Sequence, residues 1–455
     1  VRRFDAIVVG AGQAGPSLAA RLAGAGQQVA LVERAELGGT CVNRGCMPTK
    51  TLVASARAAH VARHAARWGV LAEAPVRVDM PKVKARADTV AVNARNNLET
   101  WLGGLEGLTL LRGHARFEAP DVLAMGEERL TAPRIFLNVG ARASLPPIPG
   151  LDGVDYLTST SILQMDHLPR HLLVLGGSYI GLEFAQIYRR FGAEVTVVER
   201  GPRLLPREDA DISAAIREIL EAEGVAIHTD AGDLRFAAQP EGVALHREGS
   251  APILASHLLV AVGRRPNTDD LGLEEAGIAH DARGYIQVDE ELATNVPGIW
   301  ALGDCNGRGA FTHTSYNDYE ILAANLLDGE ARRLSQRVPC YALYIDPPLG
   351  RVGMTEAEAR ATGRPLLLSH RPMSRVGRAI EKGETAGFMK VVADAGTQRI
   401  LGAAILGVEG DEAIHMLLGA MDAGTPFTAL QQAMPIHPTV AELIPTLVQG
   451  LRPEA

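Results

Sequence analysis

Two cysteines, Cys41 and Cys46, stand five positions apart in the segment GGTCVNRGCMPTK, which runs from Gly38 to Lys50. A thiol pair this close in the chain has three uses: a reversible disulfide, a metal site, or two inert buried thiols. In a regular helix their Cα atoms would lie about 8–9 Å apart, beyond the roughly 7 Å that a disulfide spans. A bond therefore demands a distorted turn, and Gly45 and Pro48 are residues suited to one. Zinc ligation calls for shorter Cys–Cys spacing and a second pair of ligands. Cys305 and Cys340 are isolated in the chain, so no metal centre is expected. A tightly looped, easily reduced disulfide is the favoured use.

The elements that must position such a pair show as an internal repeat. IVVGAGQAG…GQQVALVER and LVLGGSYIG…GAEVTVVER resemble each other at a constant offset of 166 residues, so that Gly10, Gly15, Gly26, Val29 and Glu33 fall on Gly176, Gly181, Gly192, Val195 and Glu199. Each copy reads as an apolar strand, a Gly-rich turn, a helix and a second strand ending in an acid. This is a βαβ dinucleotide-binding unit, present twice. Gly10 permits the tight turn, Gly12 lets the backbone approach a pyrophosphate, and Gly15 allows close packing of helix on strand. The helix N-terminus offers N–H donors and a positive dipole end. Glu33 and Glu199 are placed to accept hydrogen bonds from ribose hydroxyls. Ser178 replaces the middle glycine of the second copy, which narrows the approach. An acid at Glu199 repels a 2′-phosphate and leans the second unit towards NADH, although Arg200, Arg203 and Arg207 follow closely.

The bulk composition removes several function classes. The net charge of −8 and an aromatic content of 4% argue against nucleic-acid or anionic-membrane surfaces. No apolar run reaches the roughly 18 residues that span a bilayer. A strand-like run at Phe4–Val9 with no charged leader favours a cytoplasmic protein. The helix-like stretch ARAAHVARHAARWG carries His60 and His64 at i and i+4, which reads as a solvated helix face rather than a metal face.

GGTCVNRGCMPTK resembles the active-site signature of the class I pyridine nucleotide-disulfide oxidoreductases, the family of dihydrolipoamide dehydrogenase, glutathione reductase and mercuric reductase. Further similarity lies in VGRRPN at 262–267, TNVPGIWALGD at 294–304, PPLGRVGMTEAEA at 347–359 and IHPTVAE at 436–442. The resemblance implies an α/β fold with two Rossmann-like dinucleotide-binding domains and a C-terminal αβ dimerisation domain. The expected division is an FAD-binding domain at 1–148, an NAD(P)H-binding domain at 149–267, a central segment at 268–335 completing the FAD domain, and an interface domain at 336–455. FAD and NADH or NADPH are the implied cofactors. Cys46 would be the thiol that forms a charge-transfer pair with the flavin, and Cys41 the outer thiol that attacks substrate. Lys50 would lie near the flavin N5 with Glu183 as its carboxylate partner. Gly39, Thr40, Gly140, Gly303 and Asp304 join Gly10, Gly12, Gly15, Glu33 and Lys50 as expected FAD contacts. Gly176, Ser178, Tyr179, Gly181, Glu199 and Gly263 are the expected nicotinamide-nucleotide contacts, with Tyr179 covering the pocket. His437 and Glu442 match the family's acid–base dyad, which reaches the cysteines of the other subunit and so implies a homodimer.

The expected function is transfer of electrons from NAD(P)H through FAD to the cysteine pair and on to a small disulfide. A mercuric- or copper-ion reductase is the alternative, because GAGQAGPSLA, FTHTSYNDYEI and DPPLGRVGMTEAEA look closer to the reactive-chlorine-resistance flavoproteins. A non-catalytic redox sensor is a third reading, disfavoured because a sensor needs no acid–base dyad. His313 is expected either at the flavin and acceptor path or in a surface loop, and Cys305 as a free buried thiol. Cys340 has no assigned role.

Overall fold

The computed structural model describes residues 1–71 and 74–453. The first apolar strand, Ala6–Val9, lies at the centre of a five-stranded parallel sheet. Its order is Ile299–Ala301, Ile135–Leu137, Ala6–Val9, Val29–Glu33 and Leu108–Arg112. All four residues of Ala6–Val9 are buried, as strands covered on both faces must be. Helix Gly15–Gly24 turns Leu18, Ala19 and Leu22 into this core.

The second unit repeats the plan. Strands Ala226–His228, Glu194–Val198, His171–Leu175 and His257–Val260 form a parallel sheet in that order, and helix Tyr179–Phe191 covers it. The stretch after Leu234, read from its alternation as strands and turns, is an antiparallel meander of Leu234–Gln239, Gly242–Arg247 and Ile253–Ala255. Strand Arg264–Pro266 pairs with Ala141–Ala143 and joins the two units. A small four-stranded sheet, Arg2–Arg3, Glu128–Thr131, Val122–Met125 and Arg116–Ala119, flanks the first unit, and the C-terminal sheet has six antiparallel strands, with Arg399–Leu406 and Phe388–Asp394 almost wholly buried near its middle.

A charged junction fixes the units against one another. Arg190, on the helix of the second unit, bonds Asp346 at 2.5 Å and Glu223 at 2.6 Å. Arg57, on helix Cys46–His64, reaches Asp346 and Glu384, each at 2.7 Å. Two guanidiniums and three carboxylates thus meet where three parts of the chain converge, and each charge has a partner as its burial demands. His60 and His64 lie beside this junction. The expectation of a solvated face is wrong here: both rings are half-buried, because their helix packs on Tyr179–Phe191. Burial, with the Arg190 charge adding to it, holds His60 down to about 4. The imidazole is therefore neutral, and no group of three or more metal-ligating side chains occurs among the described residues. Nor is any described helix long and apolar enough to cross a membrane.

Candidate active site

The carboxyl ends of both parallel sheets open onto one cleft of about 2200 Å³, the place where open α/β sheets bind nucleotides. In the first unit, Gly10 has φ +103°, and a Cβ there would sit 2.3 Å from the Asn138 carbonyl oxygen. A Cβ at Gly15 would meet the Gly10 carbonyl at 2.1 Å. A Cβ on Gly39 would press against Gly12 Cα at 2.8 Å. The turn therefore exposes bare backbone to the cleft. Glu33 accepts the Ala11 N–H at 2.8 Å and the Ala35 N–H at 2.7 Å, which fixes its carboxylate at the strand end. Glu199 does the same in the second unit, with Gly177 at 2.7 Å and Gly201 at 2.8 Å. Ser178 precedes the second helix, in extended backbone, without a side-chain cap bond. Gly181 repeats the contact of Gly15, with the Gly176 carbonyl 2.1 Å from an added Cβ.

The cysteines stand on two helices that meet at a break. Helix Gly39–Arg44 carries Thr40 and Cys41; Gly45 leaves helical geometry at φ −147°, ψ −118°; Cys46 then opens helix Cys46–His64. This is the distorted turn that the spacing demands. Both thiols are half-buried. Cys46 is lowered to about 6, first by the hydrogen bond from Cys41, then by Thr312 and the Lys50 charge, against opposition from burial. The same pairing and burial push Cys41 upward. Cys46 is thus the more acidic member of the pair. Lys50 Nζ donates to Glu183 Oε2 at 2.7 Å and lies 4.6 Å from the Tyr344 ring centroid. Glu183 is buried, and its other oxygen accepts the Tyr344 N–H at 3.0 Å.

Several residues that complete the site carry no local signal in sequence. Asn138 accepts the Gly15 N–H at 3.0 Å and donates to the Leu302 carbonyl at 3.0 Å, tying together chain segments far apart. Thr312 Oγ1 lies 3.2 Å from Cys46 Sγ. Tyr179 packs edge-on against Phe311 and Tyr341, with centroids at 5.9 and 5.4 Å. Phe311 itself lies parallel to Tyr341 and to His313, each at 5.5 Å. The Tyr341 hydroxyl donates to Glu208, a buried carboxylate also held by buried Arg351. His313 is in the first turn of helix Thr312–Leu327 rather than in a loop, with Nε2 2.7 Å from the Cys340 carbonyl oxygen. Asp304 follows Gly303 in the turn Gly303–Asn306 and pairs with Arg264 at 3.3 Å. Gly303 donates to buried Asp318 at 2.8 Å, which anchors this turn to the helix that presents Thr312. Gly140 and Gly263 line the cleft at positive φ, with open space where a Cβ would stand. Cys305 is fully buried, and that burial raises it to about 12, so it is inert.

His437 and Glu442 lie apart from this cluster in sequence and are joined to each other, Nδ1 to Oε2, at 2.8 Å. The His437 side chain is 78% exposed, and Met434 and Ile436 beside it are also exposed. The dyad thus stands on an open apolar surface of its own chain.

The model of the pyridine nucleotide-disulphide oxidoreductases matches residues 4–318, and that of their dimerisation domain matches residues 340–448. The chain belongs to this family. It is 38% identical to the probable pyridine nucleotide-disulfide oxidoreductase RclA of Escherichia coli, over 97% of this chain and 98% of that protein. It is 35% identical to a mercuric reductase of Streptomyces lividans, over 98% and 96% of the two chains. The solved Cu(II) complex of the HOCl-induced flavoprotein disulfide reductase RclA from Escherichia coli superposes with a TM-score of 0.90 at 36% identity, covering 99% of each chain. The protein is therefore an FAD-dependent oxidoreductase that uses NAD(P)H, with a redox-active cysteine pair and the family's dimerisation domain. The cleft suits these ligands: two bare glycine turns stand at helix starts, and Arg264, which lines it, has a buried Nε with no protein partner.

Proposed function

We propose that the protein passes two electrons from NAD(P)H to the Cys41–Cys46 pair and from Cys41 to a small disulfide. FAD, when bound, is the relay between nicotinamide and sulfur. Gly10, Gly12, Gly15, Gly39, Thr40, Gly140, Gly303 and Asp304 would hold it, with Glu33 towards the ribose. Gly176, Ser178, Gly181, Glu199 and Gly263 would hold the nicotinamide nucleotide, and Tyr179 would cover the nicotinamide ring. The acid at Glu199 favours NADH over NADPH.

The observation that carries the reading is the break at Gly45, which sets Cys46 at the start of its helix, against Thr312 and close to the Lys50 charge. Lys50, fixed by Glu183, and Thr312 stabilise negative charge on Cys46. Cys41 is left to exchange with substrate. Its sulfur, deprotonated by the dyad, attacks one substrate sulfur, and the other leaves as a thiolate that takes up that proton. Cys46 thiolate then attacks Cys41, releasing the second substrate thiolate and restoring the Cys41–Cys46 disulfide. Glu442 holds the Nδ1–H of His437, leaving Nε2 to carry the proton. Its exposure on an apolar surface supports a homodimer in which His437 serves the cysteines of the other subunit.

A second reading, reduction of a metal ion, is supported by the Cu(II) complex solved for the RclA relative and by the affinity of thiolates for soft metals. Two Cu²⁺ ions would each take one electron as the dithiol closes to the disulfide. The test is NADH and NADPH oxidation against lipoamide, glutathione disulfide, Hg²⁺ and Cu²⁺, with Cys46→Ser and His437→Ala variants. Fast turnover of a disulfide, lost in both variants, supports the first reading. Turnover with metal ions alone, spared in His437→Ala, replaces it with the second.

A further inference from the structure

The amino ends of the second unit's strands, opposite the cleft, carry a pair of histidines that the redox chemistry does not use. His167 lies in the segment leading into strand His171–Leu175, and His257 opens the neighbouring strand His257–Val260. Their Nε2 atoms are 3.4 Å apart, with ring centroids at 5.5 Å.

The protons in this pair can be assigned from its surroundings. His167 Nδ1 is 3.2 Å from Asp166 Oδ1; a carboxylate only accepts, so this nitrogen carries the hydrogen. His257 Nδ1 is 3.1 Å from Ser256 Oγ. That hydroxyl gives its single hydrogen to the His171 carbonyl at 2.9 Å, so it too accepts from the imidazole. A neutral ring with its hydrogen on Nδ1 has a lone pair on Nε2. Two lone pairs therefore face each other across 3.4 Å, an arrangement that repels unless a positive charge lies between them.

We propose that His167 and His257 form a binding site for a borderline divalent ion of the Zn²⁺ or Cu²⁺ kind. Imidazole nitrogens suit these ions. Two metal–nitrogen bonds of about 2.0–2.1 Å at a tetrahedral angle separate the nitrogens by about 3.3–3.4 Å, which matches the observed gap. Asp166 and Ser256 bond the far nitrogen of each ring, the outer-shell arrangement that orients histidine ligands and raises their basicity. No third His, Cys, Asp or Glu joins them among the described residues, so solvent would supply the other ligands and exchange would be rapid. The strands place the pair about 10 Å or more from the cleft, so the site is separate from the cysteine pair. An ion bound there is held, not reduced.

Titration calorimetry with Zn²⁺, which takes up no electrons, tests this on the oxidised holoenzyme, where the Cys41–Cys46 disulfide cannot compete. One equivalent should bind. His167→Gln or His257→Gln should abolish that binding, with flavin absorbance and melting temperature unchanged. Asp166→Asn should weaken it about 10–100-fold, the usual effect of losing such a partner. Isotherms that are the same in His167→Gln, His257→Gln and the parent would overturn the proposal. So would binding that survives these changes but vanishes in Cys340→Ser.

Discussion

The two nucleotide-binding units share a backbone plan and differ in what fills the throat of each. Gly10 and Gly176, Gly15 and Gly181, and Glu33 and Glu199 make matching contacts 166 residues apart, down to the pair of N–H groups on each carboxylate. The residue after the third strand breaks the match. In the first unit Asn138 donates its N–H to Val9 and uses its side chain to bridge Gly15 and Leu302. In the second, Ala261 makes the same backbone bond to Leu175 and has no side chain to bridge anything. Val262 and Gly263 beyond it are exposed, whereas Val139 and Gly140 are half-buried under the returning chain. The first frame is the more covered and suits a resident cofactor; the second is the more open and suits a ligand that must leave every cycle.

The strongest way to break this comparison is to close each turn separately. Gly15→Ala drives a methyl group into the Gly10 carbonyl and should yield protein purified without flavin. Gly181→Ala makes the same clash in the second unit and should keep its flavin while NAD(P)H binding falls at least about a hundredfold, a loss of roughly 2.8 kcal/mol. Flavin absorbance and rapid-mixing reduction read the two effects, and flavin loss in both variants would mean that the units are not independent.

Exchanging the throat residues is the next test. Asn138→Ala strands the Gly15 N–H and should cost about 1–3 kcal/mol, seen as a lower temperature of flavin release. Ala261→Asn should leave flavin content intact and raise the KM for NAD(P)H.

The cysteine pair extends the comparison to pH. The fold lowers Cys46 to about 6, led by the hydrogen bond from Cys41, from about 8.5 in a free chain. A group lowered on folding stabilises the dithiol protein fully above its unfolded value and loses that contribution as pH falls through 6. Alkylation of Cys46 in the dithiol enzyme should therefore be nearly constant above pH 7 and drop about tenfold per unit below 6. Lys50→Met should move the midpoint upward. Cys305, raised to about 12 by burial, should not react in the folded protein.

The smallest effect is expected at Tyr341. Tyr341→Phe keeps the ring against Phe311 and Tyr179 but removes the bond to Glu208. A shift of a few-fold in the KM for NAD(P)H, with flavin content unchanged, would mark Tyr341 as a residue that positions Tyr179.

What could be read from sequence follows the range over which each constraint acts. Gly10, Gly15 and their counterparts are dictated by backbone within a few residues, so their spacing announces the turn. The break at Gly45 was legible for the same reason, since five positions of helix cannot bring two sulfurs together. Asn138, Thr312 and Tyr341 act across 123, 266 and 162 positions, on Gly15, Cys46 and Tyr179 respectively, and nothing in their own neighbourhoods marks them. Lys50 shows the middle case: a lysine in a helix is by itself no sign of a buried carboxylate partner, and resemblance to a known signature is what points to Glu183. His60 was misread because its helix is covered by another unit, which the helix's own pattern of polar residues does not reveal.

The junction of Arg190, Arg57, Asp346, Glu223 and Glu384 has a kinetic consequence. A nucleotide unit that had to swing to deliver its electrons would have to pull these charges apart in every cycle. With the frame riveted at that point, the Tyr179 ring, the proposed cover of the nicotinamide, is the part left to move. Admission of the reductant would then need a side-chain rotation at Tyr179 rather than a domain motion in microseconds to milliseconds.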